Sequence, residues 1–158
     1  MPDAWYFYTD EEILELNNIT LTDDIVGEDY LKQLENATVI YDMYAVNEES
    51  GSSININLEK LNALQIATLD LKKTLEAQID TIVSAYQNMG YTDVKVYYQK
   101  VTVDGKEFDG LRLTAKIQGI DFNGVVFTFR KSNYLANITL ATLAEDTTGA
   151  LLDCFTIQ

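Results

Sequence analysis

The chain has 158 residues, the length of one ordinary domain that can bury a core, and it contains no histidine, one cysteine and one proline. Its formal net charge is −14, from 25 acidic and 11 basic residues. This composition excludes imidazole chemistry and an intrachain disulfide, and the charge disfavours nucleic acid and anionic membranes as partners because acidic surfaces repel phosphate.

The first predicted element is a short helix. Thr9 and Glu12 have the spacing of a capping box, and acidic residues suit the first turn of a helix, so we expect this helix to begin near Asp10. Residues 22–36 are acidic, and the spacing of their apolar residues predicts a second short helix.

A β-hairpin and the longest helix follow. Apolar residues over 39–46 and 54–58, separated by a turn rich in Ser and Gly, predict the hairpin. An apolar stripe at three- and four-residue steps predicts a helix over 69–89, with Thr68 as its N-cap and Gly90 as its stop. We expect this helix to cover one face of a sheet.

After the long helix the apolar period changes from about 3.6 to 2 residues. This change predicts four strands over 93–103, 107–118, 121–131 and 134–143. Short connections, including the hairpin dipeptide Asp104-Gly105, make them an antiparallel meander, and a closing helix is expected within 146–155. The predicted fold class is α+β, with an antiparallel sheet of about six strands covered by one long helix and shorter terminal helices.

Negative charge is concentrated in the first third of the chain. Residues 1–59 contain 14 acidic residues and a single base, Lys32. The candidates for an acidic interaction surface are Asp10, Glu11, Glu12, Glu15, Asp23, Asp24, Glu28 and Asp29. The favoured interpretation is a solvated face, and the functional alternative is a surface for a basic protein. A weak calcium site among Asp23, Asp24, Glu28 and Asp29 is a further hypothesis, although the EF-hand pattern is missing.

Aromatic residues form a second group of candidates. The proposed aromatic contacts are Trp5, Tyr8, Tyr41 and Tyr44. If exposed, these rings would form a binding platform. The favoured interpretation is that Trp5 and its neighbours pack beneath the helices while the tyrosine hydroxyls reach polar partners.

No residue is assigned a catalytic, cofactor-binding or metal-binding role. The nearest match to a phosphate loop, 105–110, lacks the following Lys-Ser/Thr pair and is interpreted as a turn. Zinc needs about four thiolate or imidazole ligands, whereas Cys154 is the only thiol and is expected to be a small buried hydrophobe. With 25 acidic residues a close carboxylate pair is expected by chance, so a carboxylate-dependent hydrolase is kept as an alternative.

The order of these features resembles a known family. The residues that carry the resemblance are Pro2, Trp5, Thr9, Glu12, the strand Tyr41-Asp42-Met43-Tyr44-Ala45, and the terminal Leu151, Leu152 and Phe155. The chain resembles Mog1/PsbP-like α/β/α sandwich domains, particularly small secreted or lipid-anchored proteins of Gram-positive bacteria. The resemblance implies a single domain over residues 1–158, with a leader and a first strand upstream, and it implies binding without catalysis.

The functional prediction is therefore a non-enzymatic extracytoplasmic domain, secreted or membrane-tethered. It is expected to be a binding or accessory domain of unknown ligand, to need no cofactor, and to favour a protein partner with a basic surface over nucleic acid. No apolar run is long enough to cross a bilayer, while a lipid anchor upstream is compatible with the sequence. A cytoplasmic adaptor or chaperone for a secreted client protein is the alternative.

Overall fold

A computed structural model describes residues 4–17 and 39–157 of the chain. The strands are β1 (Trp5–Phe7), β2 (Val39–Asn47), β3 (Ser52–Lys60), β4 (Thr92–Val103), β5 (Lys106–Ile117), β6 (Ile120–Lys131) and β7 (Tyr134–Leu143). The helices are α1 (Asp10–Leu16), α2 (Ala63–Thr68), α3 (Leu71–Asn88) and α4 (Thr148–Leu152). The helix predicted over 22–36 lies outside the described residues.

All seven strands form one antiparallel sheet in the order β1-β2-β3-β7-β6-β5-β4. The α+β class, the antiparallel sheet and the long helix are confirmed. The sheet has one strand more than expected, because β1 pairs with β2 and places Trp5 opposite Asn47. A strand of three residues is too short for its period to appear in the sequence.

The turns of the meander have the backbone that their residues predict. Asp104 and Gly105 have φ values of 50° and 73°, and Gln118 and Gly119 have 52° and 82°. Two successive left-handed residues form the type of turn whose twist matches that of two paired strands. The four meander strands therefore begin and end within one or two residues of their predicted bounds.

One face of the sheet, called here the helix face, is covered by α3. Ile82 and Tyr86 of this helix pack against a small buried cluster made by Leu113, Ala115 and Phe122. Leu113 and Ala115 are two of the residues whose alternation along β5 predicts a buried face. Apolar residues at helical spacing in α3 thus pack against apolar residues at alternate positions of β5.

The opposite face, called here the tail face, carries the larger core. Its buried members are Ile54, Val101, Val103, Val125, Phe127, Ala136, Ile138 and Leu140. The C-terminal segment closes this core, with Leu151, Leu152, Phe155 and Ile157 packed against it. The closing helix predicted within 146–155 is confirmed as α4.

A polar cluster anchors the C-terminal segment to the sheet. The Arg112 guanidinium donates hydrogen bonds to Thr148 Oγ1 (2.8 Å) and Asn123 Oδ1 (3.1 Å), and it forms an ion pair with Asp146. Burial acts to raise the pKa of Asp146, but hydrogen bonds from Thr148 and Arg112 outweigh it and hold that pKa below its usual range. The carboxylate is therefore stabilised in its charged form, as its partner Arg112 requires.

Two expectations about local structure are wrong. The N-cap of α3 is Asp70, whose carboxylate accepts from the Lys73 N–H (3.1 Å), because Thr68 instead ends α2. Cys154 is exposed rather than buried, since the apolar residues on either side of it take the positions facing the core.

A glycine in β5 tests the packing of the meander. A Cβ at Gly110 would lie 2.7 Å from Val101 Cγ2 and would collide with the backbone carbonyl of Val126. We expect Gly110→Ala to lower the free energy of unfolding by about 1–3 kcal/mol in urea denaturation, because the strands must move apart. In the control Gly149→Ala the new Cβ has no atom within 4 Å. Alanine has a higher helix propensity than glycine, so we expect the free energy of unfolding of this variant to equal or slightly exceed that of the parent chain. Equal stability of Gly110→Ala and the parent chain would contradict this register.

Candidate functional site

An open groove lies where α1 crosses the end of β1 and β2. It has a volume of about 400 Å³ and is lined by Tyr6, Tyr8, Glu12, Glu15, Leu16, Val46 and Glu48. We call it the acidic groove, because three of these seven described lining residues are carboxylates and none of the seven is basic.

Helix α1 is held beside the sheet at both ends. At its start, the Glu12 N–H donates to Thr9 Oγ1 (3.3 Å) and the Thr9 N–H donates to Glu12 Oε2 (2.8 Å), which confirms the predicted capping box. At its end, the Asn17 amide donates to the Tyr41 carbonyl (2.9 Å) and accepts from the Tyr41 N–H (2.7 Å). Just before the helix, the Tyr8 N–H donates to the Tyr44 carbonyl (2.9 Å), so the residues flanking both ends of α1 are bonded to β2.

Three tyrosines form a row that begins in the groove with Tyr6 and Tyr8 and continues to Tyr44. The ring centroids of Tyr6 and Tyr8 are 5.8 Å apart, and those of Tyr8 and Tyr44 are 4.8 Å apart. Tyr6 is 47% exposed, while Tyr8 and Tyr44 are half-buried. Burial is the main reason that the pKa of Tyr44 is raised. The row therefore runs from solvent at Tyr6 toward the interior of the sheet at Tyr44.

Tyr6 and Glu12 form the closest polar contact of the groove. The Tyr6 hydroxyl lies 2.7 Å from Glu12 Oε1 and 2.6 Å from Glu12 Oε2. This hydrogen bond lowers the pKa of the Glu12 carboxyl below its ordinary value of 4.5 and raises the pKa of Tyr6 above 10.0. Glu12 is thus a carboxylate at neutral pH, and its position is set by both the helix cap and the tyrosine.

The structure brings together only part of the acidic set. Glu12 and Glu15 line the groove, whereas Asp10 and Glu11 are exposed in the first turn of α1 and do not line it. The four remaining candidates, and with them the calcium hypothesis, lie outside the described residues: Asp23, Asp24, Glu28 and Asp29.

The aromatic set is divided between the two faces of the sheet. Tyr8 lines the groove, and the Tyr44 ring packs against the Tyr8 ring. Trp5 packs against the large core of the tail face, and half-buried Tyr41 meets α1 through its backbone. Tyr6 and Glu48 also line the groove but were not among the predicted site residues, although the two-residue spacing of Tyr6 and Tyr8 indicates that they share a side of the strand.

The groove is chemically suited to a cation. The segments 4–17 and 39–59 contain eight acidic residues and no basic one. Carboxylates attract positive charge, and tyrosine faces attract Lys or Arg through their ring quadrupole. The described residues contain no group of three or more His, Cys, Asp or Glu side chains arranged to hold a metal ion. Across the same part of the chain, no helix has both the length and the apolar character that a membrane span requires.

Comparison with known proteins assigns no family. No protein-family model matches the chain, and no curated protein matches its sequence. The Mog1/PsbP-like resemblance therefore stays a prediction.

The Tyr6 hydrogen bond can be tested by titration. We expect Tyr6→Phe to raise the pKa of Glu12 toward 4.5, measured from the side-chain carbonyl carbon by NMR. Because the pKa of Glu12 is lowered in the folded chain, the bond contributes stability above the ordinary pKa, and this contribution is lost as pH falls through the lowered value. Tyr97→Phe removes an exposed hydroxyl outside the groove and should leave the Glu12 titration unchanged. A Glu12 midpoint unmoved by Tyr6→Phe would contradict the contact.

Proposed function

We propose that this chain is a non-catalytic binding domain whose acidic groove accepts a basic segment of a protein partner. The observation that carries the proposal is the juxtaposition of Glu12, Glu15 and Glu48 with the rings of exposed Tyr6 and half-buried Tyr8. An arginine suits this arrangement, because its planar guanidinium both pairs with carboxylates and stacks on aromatic rings.

Charge supports a partner of this kind over an anionic one. The chain carries a net charge of −14, and the described residues that line the groove include no Lys or Arg to offset it locally. Such a field speeds the approach of a basic surface and repels nucleic acid. Because exposed charges are screened within about 8 Å at physiological ionic strength, the affinity should fall as salt rises.

The pKa shift of Glu12 supports a binding role for the acidic groove. A carboxylate-dependent hydrolase needs one carboxyl with a raised pKa to act as the acid. In the acidic groove the hydrogen bond from Tyr6 lowers the pKa of Glu12, and elsewhere the hydrogen bond from Lys100 lowers that of Asp109. These shifts keep the carboxyls charged, as recognition of a cation requires.

We further propose a Mog1/PsbP-like α/β/α arrangement and an extracytoplasmic location, secreted or tethered by an upstream lipid anchor. The order of elements supports this assignment, with a tryptophan strand, a capped helix, a hairpin, a long helix, a meander and a terminal helix. A cytoplasmic adaptor would use the same groove for a basic segment of its client. A signal peptide ending in a lipidated cysteine upstream in the gene would exclude the adaptor.

Binding is tested with a fluorescent octa-arginine peptide by anisotropy, at about 20 mM and about 500 mM salt. We expect association at low salt that weakens at least about tenfold at high salt. The double variant Glu12→Gln/Glu15→Gln should weaken binding several-fold, and glutamine at position 12 preserves the capping box. Tyr8→Leu should also weaken binding, because it removes the aromatic face while keeping an apolar side chain.

The matched control is Asp80→Asn/Glu107→Gln, which removes the same charge from two exposed residues outside the groove. It separates the groove from general attraction by an acidic protein. If the two double variants weaken octa-arginine binding equally, or if binding does not respond to salt, the acidic groove is not the binding surface.

A further inference from the structure

A second cavity lies on the helix face, between α3 and strands β3, β7 and β6. Its volume is about 230 Å³. Its main polar lining residues are Asn57, Glu59, Gln78, Thr128, Asn137 and Thr139. We call it the amide groove. It does not share a lining residue with the acidic groove.

The floor of this groove is fixed by the sheet register. Asn137 lies opposite Asn57 on one neighbouring strand and opposite Thr128 on the other. Thr128 Oγ1 donates to Asn137 Oδ1 (2.8 Å), and Asn137 Nδ2 donates to Asn57 Oδ1 (3.2 Å). The two amide groups are therefore oriented by bonds within the protein, and orientation in advance lowers the entropy cost of binding a ligand.

These polar residues lie beside an apolar part of the same sheet face. Further along the same face, the helix packs against Leu113, Ala115 and Phe122. Burial of amides and hydroxyls is costly unless they are hydrogen-bonded. Among the described residues, the Asn57 Nδ2 donors and the Thr139 hydroxyl have no side-chain hydrogen bond to another residue. The groove thus offers donors and acceptors that no side-chain hydrogen bond within the described residues uses.

We infer that the amide groove binds one ring of a neutral carbohydrate. Sugar hydroxyls both donate and accept, as do amide and hydroxyl side chains, and the Glu59 carboxylate can accept from two hydroxyls. Leu75 and Ile82 of α3 supply an apolar wall for the C–H face of the ring. None of the described residues that line the groove is basic, so a phosphorylated ligand is disfavoured.

The volume limits the size of the ligand. Sites for drug-sized molecules measure about 300–1,000 Å³, so a groove of about 230 Å³ suits a single ring. A longer saccharide would place its other rings in solvent. The small contact area predicts a dissociation constant on the order of 1–10 mM for a monosaccharide.

The test is an NMR titration of the isotope-labelled full chain with D-glucose and N-acetyl-D-glucosamine, with D-glucose 6-phosphate as the charged counterpart. We expect at least one neutral sugar to shift the side-chain amide signals of Asn57 and Asn137 in a saturable way. The phosphorylated sugar should bind about tenfold more weakly, because it brings negative charge beside Glu59.

Asn57→Ala should weaken sugar binding by about tenfold or more, since it removes oriented hydrogen bonds. The matched control is Asn55→Ala on the same face of the same strand, because Asn55 does not line the groove. Backbone amide signals report whether each variant keeps the parent fold. The inference is overturned if neither neutral sugar shifts the Asn57 and Asn137 signals at about 100 mM, or if both variants bind equally. Octa-arginine binding is a separate measurement, so neither result decides the other.

Discussion

The pairing of β3 with β7 joins the two halves of the sheet, and the positions of both grooves follow from it. Every other pair in the sheet joins strands that follow one another among the described residues, whereas this pair brings residues 53–60 against 134–141. It attaches the N-terminal hairpin, which carries the acidic groove, to the C-terminal meander. Closing a loop of this length costs entropy that only the buried contacts of the completed sheet offset. Ile54, Ile138 and Leu140 provide such contacts on the tail face.

The same pairing produces opposite environments on its two faces. On the tail face, Ile56 lies opposite Ile138 and contributes to the large core. On the helix face, one residue further along, Asn57 lies opposite Asn137 and forms the floor of the amide groove. A register slip of one residue would bury the amides in the core and expose the isoleucines, so packing on the tail face also fixes the polar site.

The acidic groove depends on more local interactions. Asn17 bonded to the backbone of β2 and the Tyr6 hydroxyl bonded to Glu12 hold α1 beside the sheet, and a capping box fixes the start of the helix. Each of these contacts joins residues of the N-terminal segment to one another or to β2, whereas the core lies across the rest of the sheet. Changes in this groove are therefore expected to affect recognition more than folding, because they leave the central strand pairs untouched.

Elements that repeat a local pattern could be assigned from the amino-acid sequence alone. The stripe of α3, the alternation of β5, the Asp104-Gly105 turn and the Thr9 cap are each encoded within a few residues, so they were predictable. Other features became visible only in the folded chain: the three-residue strand β1, the order of the strands, the separation of Trp5 from Tyr8, and the contact of Asn57 with Asn137. These features depend on which distant residues become neighbours, and that choice is made by burial across the whole sheet rather than by any local preference.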